Sequence, residues 1–111
     1  MPSGDLYEHV AFDMPVSQSD GQGGTIDGWQ ERFKCRAKYL YLRGSEAVQA
    51  ARLEGRQPVV ITVRLSGQAR QVTTDWRVRD VREGSVFNIR AIERTPDRKW
   101  LEILAEGGVA V

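Results

Sequence analysis

The residues best suited to catalysis are the only histidine of the chain, His9, and its only cysteine, Cys35. A catalytic histidine needs an acid that orients it. Asp13 follows on the same face of the same predicted strand, but the strand rise places it about 13 Å away. Cys35 falls on the apolar face of another predicted strand, as a small core residue does. Neither residue is predicted to be catalytic, and one His and one Cys cannot build a zinc site.

A glycine-rich segment is the second candidate, because such loops bind phosphate groups. Residues 21–24 read Gly-Gln-Gly-Gly, but a strand and not a helix is predicted to follow them. No helix dipole would then face a bound phosphate. The sequence contains no Walker or dinucleotide-binding fingerprint, and no pair of carboxylates stands out. We therefore expect no enzyme activity, no cofactor and no metal.

The length of 111 residues predicts a single domain over residues 1–111. Hydrophobic residues make up 41% of the chain, which is typical of globular proteins, and one cysteine excludes an intrachain disulfide. No apolar run approaches the roughly 20 residues that cross a bilayer, and residues 1–10 lack the features of a signal peptide. We expect a soluble protein made in a cytoplasm, with no membrane partner.

Alternating hydrophobicity is clearest over residues 29–42. Six of the seven odd positions are apolar or aromatic, and the first five even positions are polar. Because side chains alternate between the faces of a strand, this pattern predicts a long strand with one buried face that includes Trp29. Residues 6–14 predict an earlier strand that ends at Pro15. The segment between the two, residues 16–28, is rich in Gly, Ser and Asp and predicts a long polar loop.

The rest of the chain predicts one short helix and four further strands. Ser45 and Gly55 suit the two ends of a helix over about residues 45–54. Strands are expected at 59–65, 76–81, 85–93 and 99–106, with Ala91 pointing inward, a second polar loop at 66–75 and a frayed tail at 107–111. Closing the sheet would remove its exposed edges. The predicted fold is all-β: a small antiparallel β-barrel of about six strands with one short helix and two long loops.

The net charge of +1 hides an uneven distribution of charges along the chain. Residues 1–28 carry −5, residues 29–82 carry +7 and residues 83–111 carry −1. Of the 16 basic residues, 13 are Arg, whose guanidinium donates two hydrogen bonds at once to a phosphate or a carboxylate. The basic middle of the chain is therefore the place to look for contacts with partners.

Two sets of residues are the candidate contact surfaces. The set around the helix and the second loop is assigned to a DNA channel or a partner protein: Arg43, Arg52, Arg56, Arg64 and Arg70. The set assigned to a subunit interface combines the polar stripe of the long strand with large apolar residues: Trp29, Arg32, Lys34, Arg36, Lys38, Trp100 and Leu104. Trp100 and Leu104 are expected to form an exposed apolar patch on the last strand. An ordinary solvated face is the alternative interpretation of both sets.

Several short motifs follow one another in a recognisable order. They are Asp20-Gly-Gln-Gly-Gly-Thr-Ile-Asp-Gly-Trp-Gln-Glu31, Tyr41-Leu-Arg-Gly-Ser-Glu-Ala47, Trp76-Arg-Val-Arg-Asp80, Val86-Phe-Asn-Ile-Arg-Ala-Ile92 and Leu101-Glu-Ile-Leu104. Over about residues 6–106 this order resembles the phage head–tail joining family, whose members are also called head closure, stopper or head–tail adaptor proteins. The chain departs from the family in its first strand, which is acidic here where the family usually carries basic residues.

The resemblance implies a virion protein without a cofactor that works as a ring of copies, a dodecamer or another symmetry matched to the portal. The ring would close the portal channel after DNA packaging and connect head to tail. Its implied partners are portal or adaptor proteins on the head side, a tail terminator or tail-completion protein on the tail side, and packaged double-stranded DNA. The implied location is the head–tail junction of a virion or gene transfer agent, assembled in the cytoplasm of a bacterial host. Within such a ring, the acidic segment would face basic residues of a neighbour.

An independent small β-barrel that binds nucleic acid is the alternative function. It rests on the basic stripe from Arg32 to Lys38. Single-stranded nucleic acid stacks on exposed aromatic rings that lie beside the basic groove. The alternation pattern places the aromatic residues of this strand on the opposite face, which disfavours the alternative.

Overall fold

Six antiparallel strands carry most of the chain. The computed structural model describes residues 6–19, 21–42, 46–53 and 55–107. The elements in chain order are β1 (Glu8–Ser19), β2 (Thr25–Tyr41), α1 (Glu46–Leu53), β3 (Gln57–Arg64), a short 3-10 turn (Ala69–Gln71), β4 (Arg77–Asp80), β5 (Val86–Arg94) and β6 (Trp100–Gly107). Among the described residues, no helix has the length and apolar character that would let it span a membrane.

The sheet closes on itself in the order β1-β2-β3-β6-β5-β4, because β4 pairs with β1 as well as with β5. Closure leaves no free edge on the barrel wall, so the wall does not offer an edge strand to other chains. The predicted all-β barrel with one short helix is confirmed. The barrel has two ends. One lies where β1 begins and β2 and β4 finish, and we call it the tyrosine end. At the other end β4 and β6 begin and β3 finishes.

The core is built from the inward rows of the six strands. Phe12 and Phe33 face each other across β1 and β2 with their rings stacked at 4.8 Å. The largest fully buried side chains of β3 and β6, Ile61, Leu101 and Ile103, pack in the same cluster. Burying one such side chain contributes roughly 1.5–3 kcal/mol. This core follows the predicted alternation in β3 and β6.

The predicted loop at residues 16–28 is wrong, because β1 and β2 continue as a hairpin. Their pairing runs out to Ser19 and Thr25, and Pro15 pairs with Trp29 instead of ending the strand. β1 pairs with β4 only from Val10 to Asp13. Beyond that point the hairpin is a two-stranded arm, and a proline there breaks no second ladder of hydrogen bonds. We refer to residues 14–30 as the arm.

A bulge in β2 corrects the predicted face of Trp29. Phe12 pairs with Phe33, but the next residue, Asp13, pairs with Glu31, which leaves Arg32 without an opposite residue. One extra residue in a strand reverses the faces of everything before it. Trp29 therefore lies on the outer face and is 44% exposed, although its odd position predicted burial.

A second bulge in β5 corrects the prediction for Ala91. Ile89 pairs with Ala105 and Ala91 with Leu104, so the ladder skips Arg90. Ala91 consequently lies on the outer face, and Ile92 takes the position against the core. The alternation pattern alone does not reveal either bulge, because the extra residue becomes visible only when the partner strand is known.

The helix occupies the predicted segment and ends as expected. The N–H of Gly55 donates to the carbonyl of Arg52 at 3.0 Å, and that of Arg56 to the carbonyl of Ala51 at 2.8 Å. These two bonds make a Schellman motif, with Gly55 in the left-handed region at φ 84°. The proposed cap at Ser45 and the helix limit at residue 54 lie outside the described residues.

The remaining boundaries differ slightly from prediction. The second loop holds the 3-10 turn, which buries Ala69, and is followed by the buried Val72. Gly107 belongs to β6 and not to the tail; a Cβ there would lie 2.8 Å from the ring of Phe87. The rest of the predicted frayed tail, residues 108–111, lies outside the described residues.

Candidate functional site

The two residues suited to catalysis occupy neighbouring strands but lie on opposite faces of the sheet. His9 is exposed on the outer face of β1, opposite Arg36 of β2. Cys35 is half-buried on the inner face of β2 and packs against the core. Burial raises the pKa of the Cys35 thiol to about 11. Since the thiolate is the nucleophilic form, this cysteine is almost entirely unreactive at neutral pH.

A charged cluster lies on the outer face where β1, β2 and β4 meet. The buried carboxylate of Asp13 accepts hydrogen bonds from the Nε atoms of Arg77 at 2.9 Å and Arg79 at 3.2 Å. Arg79 also donates to Glu31 at 2.7 Å. The guanidinium carbon of Arg77 lies 4.5 Å from the centroid of the Trp29 ring. Asp13 was expected to help neutralise a neighbouring subunit, and instead it is neutralised within its own chain.

The tyrosine end of the barrel is organised by Asp80. Its carboxylate accepts a hydrogen bond from the Tyr39 hydroxyl at 2.7 Å and from the backbone N–H groups of Arg82 at 2.8 Å and Glu83 at 2.9 Å. Burial by itself would raise the pKa of Asp80, but these donors outweigh it and hold the pKa below its usual value. Burial, followed by the bond to Asp80, raises the pKa of Tyr39 above its ordinary value.

A cavity of about 440 Å³ opens beside this carboxylate. Its walls are Tyr7, Glu8, Lys38, Tyr39, Tyr41, Asp80 and Glu83. Lys38, which was predicted as the last member of the basic stripe, thus borders an acidic and aromatic cavity. The sequence pattern did not indicate this site, because its walls come from three strands and a turn that only barrel closure brings together.

The opposite end of the barrel carries a group of arginines. A cavity of about 390 Å³ there is lined by Leu65, Arg70, Arg94, Thr95, Pro96 and Arg98. Arg64 stands next to it at the end of β3, with its guanidinium carbon 5.8 Å from the Trp100 ring centroid. We call Arg64, Arg70, Arg94 and Arg98 the basic rim. Within the described part of the chain, the basic rim has no ion-pair partner.

The predicted DNA-channel set is split between the two ends. Arg64 and Arg70 belong to the basic rim, while Arg52 and Arg56 lie near the tyrosine end, in α1 and just after it. Arg56 forms an ion pair with Glu106 at 3.4 Å. Arg43 lies outside the described residues. Sequence reasoning missed Arg94 and Arg98, although the turn from Thr95 to Arg98 that joins the last two strands was a usable signal.

The predicted interface set is also divided. Arg32, Lys34 and Arg36 are exposed on β2, with Lys34 3.9 Å from Glu31. Trp100 is only 8% exposed, so the predicted patch with Leu104 is wrong for Trp100. Leu104 is 37% exposed and lies instead in a row with Val60 and Ala91 on neighbouring strands.

Solved structures with the same fold support the description of the barrel. Protein SF1141 from Shigella flexneri 2a, determined in solution, superposes with a TM-score of 0.74 at 20% identity, over 100% of both chains. A chain from the virion of a native gene transfer agent particle gives a TM-score of 0.65 at 24% identity, over 96% of this chain and 97% of that one. At these identities the likeness shows the fold. Comparison with curated proteins gives no significant match.

The family comparison covers nearly the whole molecule. The description of the matching family is phage head completion protein, and the match extends over residues 1–108. It therefore includes all six strands, the helix and the arm. It confirms the resemblance drawn from the order of the motifs, and it identifies a family of structural proteins. The chain belongs to the phage head completion protein family.

Proposed function

We propose that this protein is a structural subunit at the head–tail junction of a phage or phage-derived particle. The observation that carries the proposal is the family match over residues 1–108, which takes in the complete barrel and its arm. A role in assembly also fits the sites described above. Cys35 is protonated at neutral pH, and Asp80 is occupied in holding the turn after β4.

The working unit in this proposal is a ring of copies that matches the symmetry of the portal. The ring closes the portal channel after DNA packaging and connects the capsid to the tail. It lies between portal or adaptor proteins on one side and a tail terminator or tail-completion protein on the other. The different chemistry of the two barrel ends supports a subunit with a different neighbour at each end.

Packaged DNA is the ligand that we assign to the basic rim. The four guanidinium groups of Arg64, Arg70, Arg94 and Arg98 lie at one end of the barrel, and the arginine fork matches phosphate oxygens. Repeating the rim around a ring multiplies phosphate contacts without any need for a strongly basic monomer. This also supports the ring over an independent nucleic-acid-binding barrel. The exposed Tyr7 and Tyr41 lie at the opposite end, where they cannot stack bases held at the rim, and one side of the exposed Trp29 ring is covered by the Arg77 guanidinium.

Omission of the chain tests the proposal. Particles produced without its coding sequence should contain packaged heads that lose DNA and do not attach tails, because the channel is left unclosed. Electron microscopy and nuclease protection of the DNA measure the two effects, and expression of the intact chain from a plasmid should reverse both. Tailed particles that retain protected DNA in the absence of the chain would overturn the proposed function.

A further inference from the structure

An apolar row crosses the outer wall of the barrel over four strands. Leu40 pairs with Val60, Val60 with Leu104, and Leu104 with Ala91. Leu40 is 58% exposed and Leu104 37%. A depression of about 190 Å³ lies on the row between Val60, Leu104 and Ala91. Contiguous apolar surface of this kind marks an interaction site on a protein.

Two carboxylates border the same depression. Glu93 and Glu102 stand directly opposite each other on β5 and β6, and both are exposed. Like charges in this position repel each other across the strands. Within the part of the chain that the structure describes, neither carboxylate has an ion-pair partner. Lys38 lies in the same cross-strand row as the two glutamates, but Thr62 stands between Lys38 and Glu102. A cation supplied from outside would relieve the repulsion. We call Val60, Ala91, Leu104, Glu93 and Glu102 the acidic face.

The opposite side of the barrel has the complementary character. In the closed sheet, β2 and β5 are separated by two strands in either direction, so their outer faces point away from each other. β2 exposes Arg32, Lys34 and Arg36 together with Trp29. The Arg77 guanidinium lies over one side of the Trp29 ring, and the indole remains 44% exposed. We call Trp29, Arg32, Lys34 and Arg36 the basic face.

The spacing along the two faces is compatible. Trp29 and Arg32 are three residues apart on β2, or about 10 Å by strand rise. Leu104 and Glu102 are two residues apart on β6, or about 7 Å. The flexible side chain of Arg32 can span the difference of about 3 Å between these two spacings. When the Trp29 indole packs on the apolar row, Arg32 therefore comes near Glu93 and Glu102. Trp and Arg are also the residue types that dominate protein interfaces.

We propose that the acidic face binds the basic face of a second copy of this chain, with Trp29 of that copy on the depression and its Arg32 and Lys34 against Glu93 and Glu102. The inference rests on the proposed function and specifies which surfaces make the ring. Because the two faces share no residue and the glutamates of the acidic face lie on β5 and β6, away from the basic residues of β2, each subunit has one face of each kind left for the next. A head-to-tail contact of this kind gives a ring when the rotation between neighbouring copies brings the last copy back to the first. The two-stranded arm, which is marginally stable as a ribbon by itself, gains a surface to pack on.

Cysteine pairs in assembled particles test the contact. Arg32→Cys and Glu102→Cys, combined in a Cys35→Ala background, leave Trp29, Lys34 and Glu93 in place. A short bismaleimide should join them into covalent dimers and higher multiples of the chain. The matched pair Arg32→Cys and Arg52→Cys, whose second residue lies on the exposed helix, should stay monomeric on denaturing gels. Equal cross-linking of the two pairs, or none in either, would overturn the proposal.

Charge reversal provides the second measurement. Glu93→Arg with Glu102→Arg should lower incorporation of the chain into particles about tenfold, through like-charge repulsion at the contact. Adding Arg32→Glu and Lys34→Glu to the same chain should restore incorporation. Glu46→Arg with Glu83→Arg adds the same charge elsewhere and should have little effect. If Glu93→Arg with Glu102→Arg does not reduce incorporation, or if the combined variant does not restore it, the proposed contact is wrong.

The two proposals fail in distinguishable ways. Particles that contain many copies of the chain at the head–tail junction, but no cross-link between positions 32 and 102, would leave the proposed function intact and refute this interface. Particles that contain the chain as a single copy, or away from the junction, would refute the ring itself. Counting copies by cryo-electron microscopy or quantitative mass spectrometry separates the two results.

Discussion

Asp80 illustrates how one carboxylate organises an end of the barrel. It is buried, yet it accepts three hydrogen bonds from Tyr39, Arg82 and Glu83. Its own carbonyl accepts from the Gly84 N–H at 2.8 Å, which closes the turn into β5. The donors stabilise the ionised form, so its pKa lies below the ordinary value of about 3.9. The ionised form of Asp80 is therefore more strongly favoured in the folded protein than in the unfolded chain.

We predict that Asp80→Asn destabilises the protein by about 1–3 kcal/mol at pH 7, because buried donors lose their charged acceptor. The stability that Asp80 contributes is complete above its unfolded pKa and is lost as the pH falls through its lower folded pKa. The difference between wild type and variant should therefore shrink as the pH falls below the unfolded value of about 3.9.

Urea unfolding followed by tryptophan fluorescence at pH 7 and at pH 3 measures this difference. Asp27→Asn, on the exposed outer face of the arm, is the control and should be close to neutral at both pH values. A destabilisation by Asp80→Asn that is the same at both pH values would show that the charge of Asp80 contributes nothing.

The residues of the core could be predicted from the sequence, while the buried acids could not. Ile61, Ile103 and Leu101 follow from alternation, which is a local property of one strand. Asp13 and Asp80 are buried because donors from other strands surround them: Arg77 and Arg79 for the first, Tyr39 for the second. Their side-chain partners are 41 to 66 residues away along the chain, and no local pattern carries that information.

Elements were predicted with the correct type more often than with the correct face. The alternation in residues 29–42 correctly identified a strand, but the bulge at Arg32 reversed the face of Trp29. The polar composition of residues 16–28 predicted a loop, since it offers little to bury. Those residues form a ribbon because each strand of the arm satisfies the backbone hydrogen bonds of the other. Strand pairing, which composition does not report, decided the structure there.

At the scale of the helix, we predict that Gly55→Ala loosens the C-terminal turn of α1. Gly55 has φ 84°, and an L-residue in the left-handed region costs about 1–2 kcal/mol. The N–H of Arg56, bonded to the Ala51 carbonyl, reports opening of this turn. Its hydrogen-exchange protection should fall by roughly 5–30-fold.

Gly67→Ala is the matched control for this variant. Gly67 lies in an exposed loop and a Cβ there meets nothing within 4 Å. Its substitution should leave the protection of the Arg56 N–H unchanged. Equal protection in the wild type and in Gly55→Ala would mean that the Schellman geometry contributes no stability to the helix.

On the scale of the whole molecule, the net charge of +1 is the sum of regions with different partners. Part of the acidic N-terminal charge is neutralised within the chain, where Asp13 meets Arg77 and Arg79. The basic residues left without ion-pair partners among those described include the basic rim and, on the outer face of β2, Arg32 and Arg36. The uneven charge could be read from the sequence. The sequence does not show that the basic residues separate into one group at an end of the barrel and another on the outer face of β2. That separation follows from barrel closure, which places Arg70, Arg94 and Arg98 around one cavity.

This arrangement predicts that the position of a charge, and not its amount, governs DNA binding. Arg70→Glu with Arg94→Glu alters the basic rim, while Arg52→Glu with Arg82→Glu makes the same change in net charge near the tyrosine end. Removing two phosphate contacts should reduce the slope of log K against log salt by about two. The control should keep the wild-type slope. Binding of duplex DNA by the purified protein at increasing salt measures both, once matching thermal melts show that both variants are folded. Equal changes of slope would mean that DNA responds to overall charge, and the basic rim would then lose its assigned role.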